Sequence, residues 1–418
     1  MRSRVILHSD LNNFFASVET VLNPEFKGKP LIVCGDPKQR KGVVLAKNEE
    51  AKKYGIKTAE TVASALAKCP HVLRTGTHFG DYKYYSNKVR EIYERFTDVV
   101  EECSIDECSL DMTASQRLFG SGVEIAEKIR KAVKEELGLT VSIGVSFNKI
   151  FAKLASEMKK PDAVTEIPQN GFENIVHPLP VTDLLFVGKS TASTLSGYGI
   201  RTIGDLANAD EALLCKLLGK RGRILRKYAR GEDDEPVRAH KEKEDLKSIG
   251  NSSTLPVSLT DREEIKRWFY VLSESVTGRL READVGNAST VHIVVRDDNL
   301  EDKTWQTKIP PTMLCGEVAE TAFKLFCANW PLAKPVRMLG VTVSGFDYHI
   351  EQMSLGDLFS DGEQRKKKER AESAVFEIRK KYGYATLQRG VVLADEKLSG
   401  LDLRKENQPR AEKPKTED

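Results

Sequence analysis

Three carboxylates in this sequence stand where predicted strands end. Asp10 closes a strand predicted over residues 4–9. Asp106 and Glu107 lie in a turn between the two strand-like halves of residues 99–112. If these strands share one sheet, the three acids meet at one edge and repel one another unless cations neutralise them. Mg²⁺ prefers oxygen ligands, and two such ions about 3.5–4 Å apart assist nucleotidyl or phosphoryl transfer. Taken singly, each acid could equally be a solvated turn residue.

The elements around these acids predict an α+β layer. Residues 122–137 have the apolar spacing of an amphipathic helix, and residues 139–146 have the composition of a strand. Together with the strand over 4–9 and the hairpin over 99–112, they predict a sheet with helices packed on one face. Residues 14–79 are then an insertion into this layer.

The remainder of the chain changes character several times. Residues 171–235 are predicted to be helical with short glycine-marked turns, and the charged residues 236–246 lack periodicity, which is typical of a linker. Residues 247–350 alternate predicted strands and helices, which indicates a second α+β unit. The polar residues 351–418 form a C-terminal tail. Within it, the basic residues 363–381 could contact DNA or form a solvated helix, and we favour the helix.

The amino-acid composition favours some classes of protein and argues against others. The 418 residues are 40% hydrophobic and 30% charged with a net charge of +3, which predicts a soluble multidomain protein whose basic surfaces are local. Seven cysteines without a C-x-x-C pair argue against a disulfide framework or a zinc site, and for a cytoplasmic location. No apolar stretch reaches the roughly 18 residues of a membrane helix, so we expect no membrane contact.

Four segments together resemble the Y-family DNA polymerases of the DinB and UmuC types. In family order, "DLNNFFASVE" (10–19) and "SIDECSLD" (104–111) resemble the two acidic motifs. "SIGVSFNKIFAKLASEMKKPD" (142–162) resembles the motif that ends in a lysine before proline. "KSIGNSSTLP" (247–256) resembles the start of the last DNA-gripping domain, so the resemblance covers roughly residues 4–350.

The resemblance implies a fold class, which is an α+β multidomain, right-hand polymerase. Such a polymerase has a ferredoxin-like palm that carries the catalytic acids, small fingers, a helical thumb and an α+β little finger that also grips DNA. Carried onto this chain, the domains are the palm (1–13 and 80–170), the fingers (14–79), the helix-hairpin-helix-like thumb (171–235), the linker (236–246), the little finger (247–350) and the C-terminal tail (351–418).

The resemblance also implies an activity, template-directed and error-prone translesion synthesis that adds dNMPs to a primer 3′ end by two-metal nucleotidyl transfer. In that activity Asp10, Asp106 and Glu107 would be catalytic and hold two Mg²⁺ ions, and the Leu11 backbone carbonyl would complete the second site. Lys160 would meet the incoming triphosphate.

The resemblance gives the two aromatic rings beside Asp10 a role in testing the sugar. Phe15 would be the steric gate, a ring lying where the 2′-hydroxyl of a ribonucleotide would go, and Phe14 would pack next to it. The alternative for both rings is plain core packing.

The predicted fingers depart from the DinB pattern, in which Thr, Tyr and Arg contact the triphosphate. Here those positions are Ala46, Glu49 and Lys52, and "KNEEAKK" leans towards the UmuC type. We expect Lys52 to keep the charge as a point contact and Glu49 to repel a polyanion unless its side chain points away. Asn13 stands where many archaeal members have Tyr, so another phosphate contact is expected to be lost. The alternative for Lys52 and Lys160 is that both are solvated.

Duplex DNA should be held mostly through its phosphates, which suits an enzyme that copies any sequence. In the thumb, Gly188 remains of the usual Gly-x-Gly turn, whereas Phe186 replaces the first glycine. The candidate DNA contacts in the little finger are Lys247, Ser248, Arg296 and Arg337.

A peptide after the second α+β unit, "QMSLGDLF" (352–359), resembles bacterial sliding-clamp binding peptides with one extra residue of spacing. Leu355, Leu358 and Phe359 would enter an apolar pocket of the clamp β subunit, and Gln352 would hydrogen-bond at its rim. The alternative is an amphipathic tail. We expect a monomer that binds primer-template DNA, dNTP and the clamp.

Two alternatives to this polymerase activity stay open. The departures in the fingers would also suit a catalytically weak DNA-binding or scaffold relative at the replication clamp. A nucleotidyl transferase or cyclase with a palm-like fold is a third interpretation, which the second α+β unit and the clamp-like peptide argue against.

Overall fold

A computed structural model describes residues 4–36, 42–239, 246–331, 333–347, 361–393 and 398 of the chain. The chain divides into two compact units, with the boundary between Lys243 and Glu244. The clamp-like residues 352–359 and most of the predicted linker lie outside the described residues. Within the described residues, every helix is too short or too polar to cross a lipid bilayer.

Unit 1 combines two sheets with a set of short helices. Its strands are β1 (Ile6–Leu11), β2 (Leu31–Cys34), β3 (Val44–Lys47), β4 (Leu73–Thr75), β5 (Val100–Glu102), β6 (Glu107–Asp111), β7 (Val141–Ser146) and β8 (Val164–Glu166). Its helices are α1 (Phe14–Leu22), α2 (Glu49–Lys53), α3 (Val62–Lys68), α4 (Phe79–Tyr93), α5 (Gln116–Phe119), α6 (Gly122–Leu137), α7 (Lys149–Met158), α8 (Glu173–Val176), α9 (Lys189–Ser196), α10 (Ile203–Asn208), α11 (Glu211–Leu218) and α12 (Lys220–Ala229).

The central sheet of unit 1 has the strand order β5-β6-β1-β7-β8. Strand β1 is antiparallel to β6 and β7, whereas β8 is parallel to β7. Every residue of β1 and β7 is buried, as expected of strands covered on both faces. The hairpin of β5 and β6 and the strands β1 and β7 form where the sequence predicts them.

Helices cover both faces of this sheet, and the prediction of helices on one face is wrong. Ile129 and Val133 of α6 pack on the face that carries Ile143, whereas α7 packs on the opposite face at Gly144. A Cβ atom at Gly144 would lie 1.9 Å from the carbonyl oxygen of Ala152 in α7. The missing side chain therefore lets the backbone of α7 approach the sheet closely.

The insertion that follows α1 forms a small sheet of order β3-β2-β4 with helices α2 and α3. Its core contains Ile32, Val44 and Ile56. The buried side chain of Asn48 accepts hydrogen bonds from the backbone N–H groups of Leu31 (2.9 Å) and Ala51 (3.0 Å). One amide thus caps α2 and fixes this helix to the edge of β2.

Helices α8 to α12 form a separate apolar cluster with α7. Phe151 and Leu154 of α7 pack there with Leu195 of α9 and Leu206 of α10. The turn before α9 contains Phe186 in the left-handed region, with φ of 70°. Its ring is exposed.

Unit 2 is an antiparallel sheet with long helices. Its elements are β9 (Ser248–Leu259), α13 (Arg262–Ala283), β10 (Asn287–Arg296), β11 (Asp302–Thr312), α14 (Cys315–Asn329), β12 (Val336–Asp347), α15 (Asp361–Tyr382) and α16 (Gly390–Leu393). The strand order is β11-β10-β12-β9. Phe269 of α13 and Phe326 of α14 pack in one core with Val291 and Val341 of the sheet.

The C-terminal helix α15 is part of unit 2, so the expectation of a solvated helix over 363–381 is wrong in its last turn. Glu274 of α13, whose side chain is 2% exposed, pairs with Arg379 of α15 (3.1 Å) and with Arg389 (2.9 Å). The hydroxyl of Tyr384 also donates to Glu274. Beyond this helix, Val392 is buried in the core of the unit. Two arginines and an apolar residue therefore hold residues 379–392 against the rest of unit 2.

We predict that Glu274→Ala destabilises unit 2 by about 3 kcal/mol, because Arg379 and Tyr384 lose the buried carboxylate of Glu274 and Arg389 retains only that of Glu372. In calorimetry of the full chain, that loss lowers the midpoint of one unfolding transition by roughly 6–12 °C. Glu377→Ala, which changes an exposed glutamate of α15, is the control and should leave the midpoint in place. Equal midpoints for both variants would contradict the assigned role of Glu274.

Candidate active site

The register between two strands brings two of the predicted carboxylates together. Asp10 in β1 lies directly opposite Glu107 in β6. The adjacent backbone is joined by a hydrogen bond from the N–H of Leu11 to the carbonyl of Asp106 (3.0 Å). Asp10 is buried and Glu107 is half-buried. Like charges directly opposite each other in a sheet destabilise it, so this pair requires a cation.

Two ammonium groups supply that positive charge. Lys153 of α7 places its Nζ 3.0 Å from Asp10 Oδ2, 2.9 Å from Glu107 Oε1 and 2.8 Å from Glu157 Oε1. Lys160 places its Nζ 2.9 Å from Asp10 Oδ1 and 2.9 Å from Glu157 Oε1. Lys160 was predicted from the sequence, whereas Lys153 and Glu157 were not. Their spacing of four residues within the recognised third motif was the available signal.

His8 completes the group of potential ligands. Its Nε2 lies 3.3 Å from Glu107 Oε2 and its Nδ1 lies 3.3 Å from Ser109 Oγ. Among the described residues, ligand atoms of His8, Asp10 and Glu107 all lie within 4.8 Å of one another. Asp106 is not in this group, and its Oδ1 accepts a hydrogen bond from Ser104 Oγ (2.6 Å).

Burial and neighbouring charges together shift the pKa values of the two acids in opposite directions. The neighbouring His8 and Lys153 lower the pKa of Glu107 to about 2, although burial acts against them. Burial raises the pKa of Asp10, and hydrogen bonds from Lys160 and Lys153 offset only part of that effect. Burial also acts to lower the pKa of Lys153, but the hydrogen bonds to Glu157 and Glu107 and the charge of Asp10 outweigh it and raise that pKa.

This donor set fits a divalent cation. Asp10 and Glu107 offer carboxylate oxygens, which are the ligands that Mg²⁺ prefers. The ammonium of Lys153 lies on two of the same oxygens, so a metal ion there would displace it. The carboxylate of Asp106 would have to approach the other two acids to share a cation with them.

The two phenylalanines after Asp10 have different surroundings. Phe14 is buried in the core of unit 1, whereas Phe15 is half-buried. The Phe15 ring stacks on Tyr82, with ring centroids 4.2 Å apart and an angle of 11° between the planes. It also meets the ring of Phe79 edge to face at 5.8 Å.

Comparison with known proteins identifies the family. The impB/mucB/samB family profile matches residues 9–157, and the C-terminal domain of that family matches residues 246–355. DNA polymerase IV of Acetivibrio thermocellus is 45% identical over 95% of this chain and 100% of its own. DNA polymerase IV 1 of Bacillus subtilis is 37% identical over 97% of both chains. A solved Y-family DNA polymerase chimera of Dbh and Dpo4 is 27% identical with a TM-score of 0.73, covering 82% of this chain and 99% of its own.

The chain belongs to the Y-family DNA polymerases. The predictions of family, fold class and enzyme class are confirmed, and the protein is a DNA-directed DNA polymerase of the translesion type. Dependence on a divalent metal is general in this family. The predicted names palm, fingers, thumb and little finger are used below as labels for the central sheet of unit 1, the small β3-β2-β4 sheet, helices α8 to α12 and the sheet of unit 2. This division into domains stays a prediction.

Among the residues predicted for the fingers, Glu49 contacts Asn13 and Lys52, and the expectation that it repels a polyanion stays a prediction. Its Oε1 accepts a hydrogen bond from Asn13 Nδ2 (2.9 Å) and lies 3.6 Å from Lys52 Nζ. Ala46 is partly buried against the palm core. The structure thus brings Asn13, Lys52 and Glu49 together, and the role of Ala46 in binding the nucleotide stays a prediction.

The predicted DNA contacts lie in the thumb and the little finger. Gly188 precedes the first residue of α9, and nothing lies within 4 Å of the place where its Cβ would be. Lys247 and Ser248 are exposed at the start of β9. Arg296 makes two contacts with Asp302 (2.6 and 2.7 Å), and Arg337 lies 4.0 Å from Asp298. The clamp-like residues Gln352, Leu355, Leu358 and Phe359 lie outside the described residues.

We predict that Lys153→Met destabilises the protein prepared without metal, and that added Mg²⁺ restores part of the lost stability. The variant leaves Asp10 and Glu107 without the shared ammonium, which costs about 2 kcal/mol. Added Mg²⁺ should then raise the thermal midpoint of Lys153→Met more than that of the wild type, because Mg²⁺ no longer competes with the Lys153 ammonium for the two carboxylates.

The control for this prediction is Lys131→Met, which removes an ammonium from a lysine of α6 whose side chain is 71% exposed. Its midpoint and its response to Mg²⁺ should match the wild type. An equal Mg²⁺ shift in all three proteins would show that Lys153 is not the counter-ion of the acids.

Proposed function

We propose that this polymerase adds dNMPs to a primer 3′ end by nucleotidyl transfer with two Mg²⁺ ions, and that its synthesis is error-prone. Asp10, Asp106 and Glu107 are the proposed metal ligands, together with the backbone carbonyl of Leu11. The observation that carries the proposal is the opposition of Asp10 and Glu107 on β1 and β6, which concentrates negative charge at one buried edge. Bound there, the two ions would activate the 3′-hydroxyl and steady the leaving pyrophosphate.

The lysines of the palm supply charge before and after substrate binds. In the structure, Lys160 and Lys153 neutralise the acids. With dNTP bound, Lys160 donates to the triphosphate instead, since a lysine ammonium is a flexible point charge that can exchange one anion for another. Asn13, Ala46 and Lys52 form the remaining wall of the proposed nucleotide site, with Lys52 as its cation.

The sugar of the dNTP is tested by Phe15. Its half-exposed ring lies five residues after Asp10, on the first turn of α1. A ring held there would clash with the 2′-hydroxyl of a ribonucleotide and leave room for a deoxyribose. Phe14, which is buried, fixes the start of the same helix.

Primer-template DNA is held through its phosphates in this proposal. The proposed contacts in the thumb and the little finger are Gly188, Lys247, Ser248, Arg296 and Arg337. For Arg296 and Arg337, phosphate oxygens would replace the carboxylates of Asp302 and Asp298. Residues 352–359 are proposed to bind the bacterial sliding clamp, and the enzyme to act as a cytoplasmic monomer.

We predict that wild-type protein extends a primer on a DNA template with Mg²⁺ and four dNTPs, whereas Asp106→Ala/Glu107→Ala does not. The double variant removes two of the three carboxylates, so the expected loss is at least 10³-fold, the size seen when a catalytic group is removed. Primer-template binding by both proteins, measured by fluorescence anisotropy, is the control. Binding without extension by the wild type would instead favour a DNA-bound scaffold.

We predict that replacing residues 352–359 by a Gly/Ser stretch of equal length abolishes stimulation of synthesis by the clamp. The equal length preserves the connection between β12 and α15. Extension without the clamp should be unchanged, because the replaced residues lie outside the palm. Undiminished stimulation in the variant would refute the assignment of this peptide.

A further inference from the structure

A buried carboxylate in α1 lies behind the proposed steric gate. Glu19 is fully buried in the palm. A carboxylate taken out of water is costly unless donors surround it, so its position in the fold is determined by its partners. Its Oε1 accepts hydrogen bonds from Tyr82 Oη (2.7 Å) and from His78 Nδ1 (2.8 Å).

Both of these hydrogen-bond donors lie at the start of helix α4. His78 immediately precedes α4 and Tyr82 lies four residues later, so the two side chains face the same side. Glu19 lies four residues after Phe15 in α1, and those two side chains also share a face. Helix α1 therefore contacts the ring of Tyr82 through Phe15 and Phe14, and its hydroxyl through Glu19.

The stack on Tyr82 fixes the plane of the Phe15 ring. The two planes are within 11° of parallel at 4.2 Å, whereas the ring of Phe79 closes the side of Phe15 at 84°. Tyr82 is itself fully buried. If the hydroxyl of Tyr82 were free to move, the ring stacked on it could tilt.

We propose that Glu19, acting through Tyr82, sets the orientation of the Phe15 ring and so determines how strongly ribonucleotides are rejected. Both are positioning residues, since neither is proposed to touch the nucleotide. Discrimination by a steric gate depends on distances of a few tenths of an ångström, because van der Waals repulsion is steep, and a tilted ring would admit the 2′-hydroxyl. This inference rests on the proposed role of Phe15.

The test measures kcat/KM for one dNTP and for the matching rNTP on the same primer-template. Tyr82→Phe removes only the hydroxyl and keeps the stack. It should lower the preference for dNTP by roughly three- to tenfold and leave kcat/KM for dNTP within about twofold. Tyr84→Phe removes a hydroxyl from the same helix and should match the wild type. A merely structural role of Tyr82 would lower both rates together and leave their ratio unchanged.

A double-mutant cycle isolates the part played by Glu19. Glu19→Gln should lower the preference for dNTP as Tyr82→Phe does. In the Tyr82→Phe background it should have no further effect, because the carboxylate acts through the hydroxyl. If Glu19→Gln does not fold, the ratio measured for Tyr82→Phe still decides whether the hydroxyl orients the gate.

Phe15→Ala separates this inference from the function on which it rests. The inference is overturned if Phe15→Ala admits ribonucleotides whereas Tyr82→Phe and Glu19→Gln retain wild-type preference. If Phe15→Ala also retains the preference, Phe15 is not the gate, and both the gate and its support are wrong.

Discussion

The antiparallel register between β1 and β6 is the constraint on which the active site depends. It places Asp10 opposite Glu107, and a shift of one residue would turn one of the two acids to the other face of the sheet. Two unit charges about 4 Å apart repel by roughly 4 kcal/mol at the effective dielectric near a protein surface. The fold bears that repulsion because Lys153 binds both carboxylates. The same concentration of charge makes this edge suitable for divalent cations.

The position of Lys153 depends in turn on how closely α7 approaches the palm sheet. At Gly144 the backbone of α7 occupies the space of a side chain, which brings this helix against β7 and β1. The other side of α7 packs into the thumb through Phe151 and Leu154. Helix α7 therefore carries the lysine that neutralises the acids, packs on one side against the sheet that holds them, and packs on its other side against the helices proposed to hold DNA.

Sequence alone predicted the parts of this fold that follow from local pattern. The strand before Asp10, the hairpin that carries Asp106 and Glu107, and the family itself could be predicted, because alternation and motif order are properties of the chain. Contacts between distant residues could not. Glu274 and Arg379 are 105 residues apart, and each would be an ordinary solvated charge on a helix. Likewise, nothing in the local pattern shows that the side chain of Glu49 would accept a hydrogen bond from Asn13.

Three buried carboxylates show how partner chemistry separates structural from reactive acids. Glu274 is held by two arginines and by the hydroxyl of Tyr384, and the planar guanidinium groups bind carboxylates with fixed geometry, which suits a permanent link between α13 and residues 379–389. Asp10 is held by Lys153 and Lys160, whose flexible point charges can leave for a phosphate, which suits an acid that must exchange partners. Glu19 accepts hydrogen bonds from the Tyr82 hydroxyl and the His78 imidazole, and the ring of Tyr82 stacks on Phe15, the proposed steric gate. All three acids are buried, so their different roles follow from their donors. Glu274 stabilises the fold, Asp10 is proposed to exchange its partners when substrate binds, and Glu19 is proposed to orient a neighbouring ring.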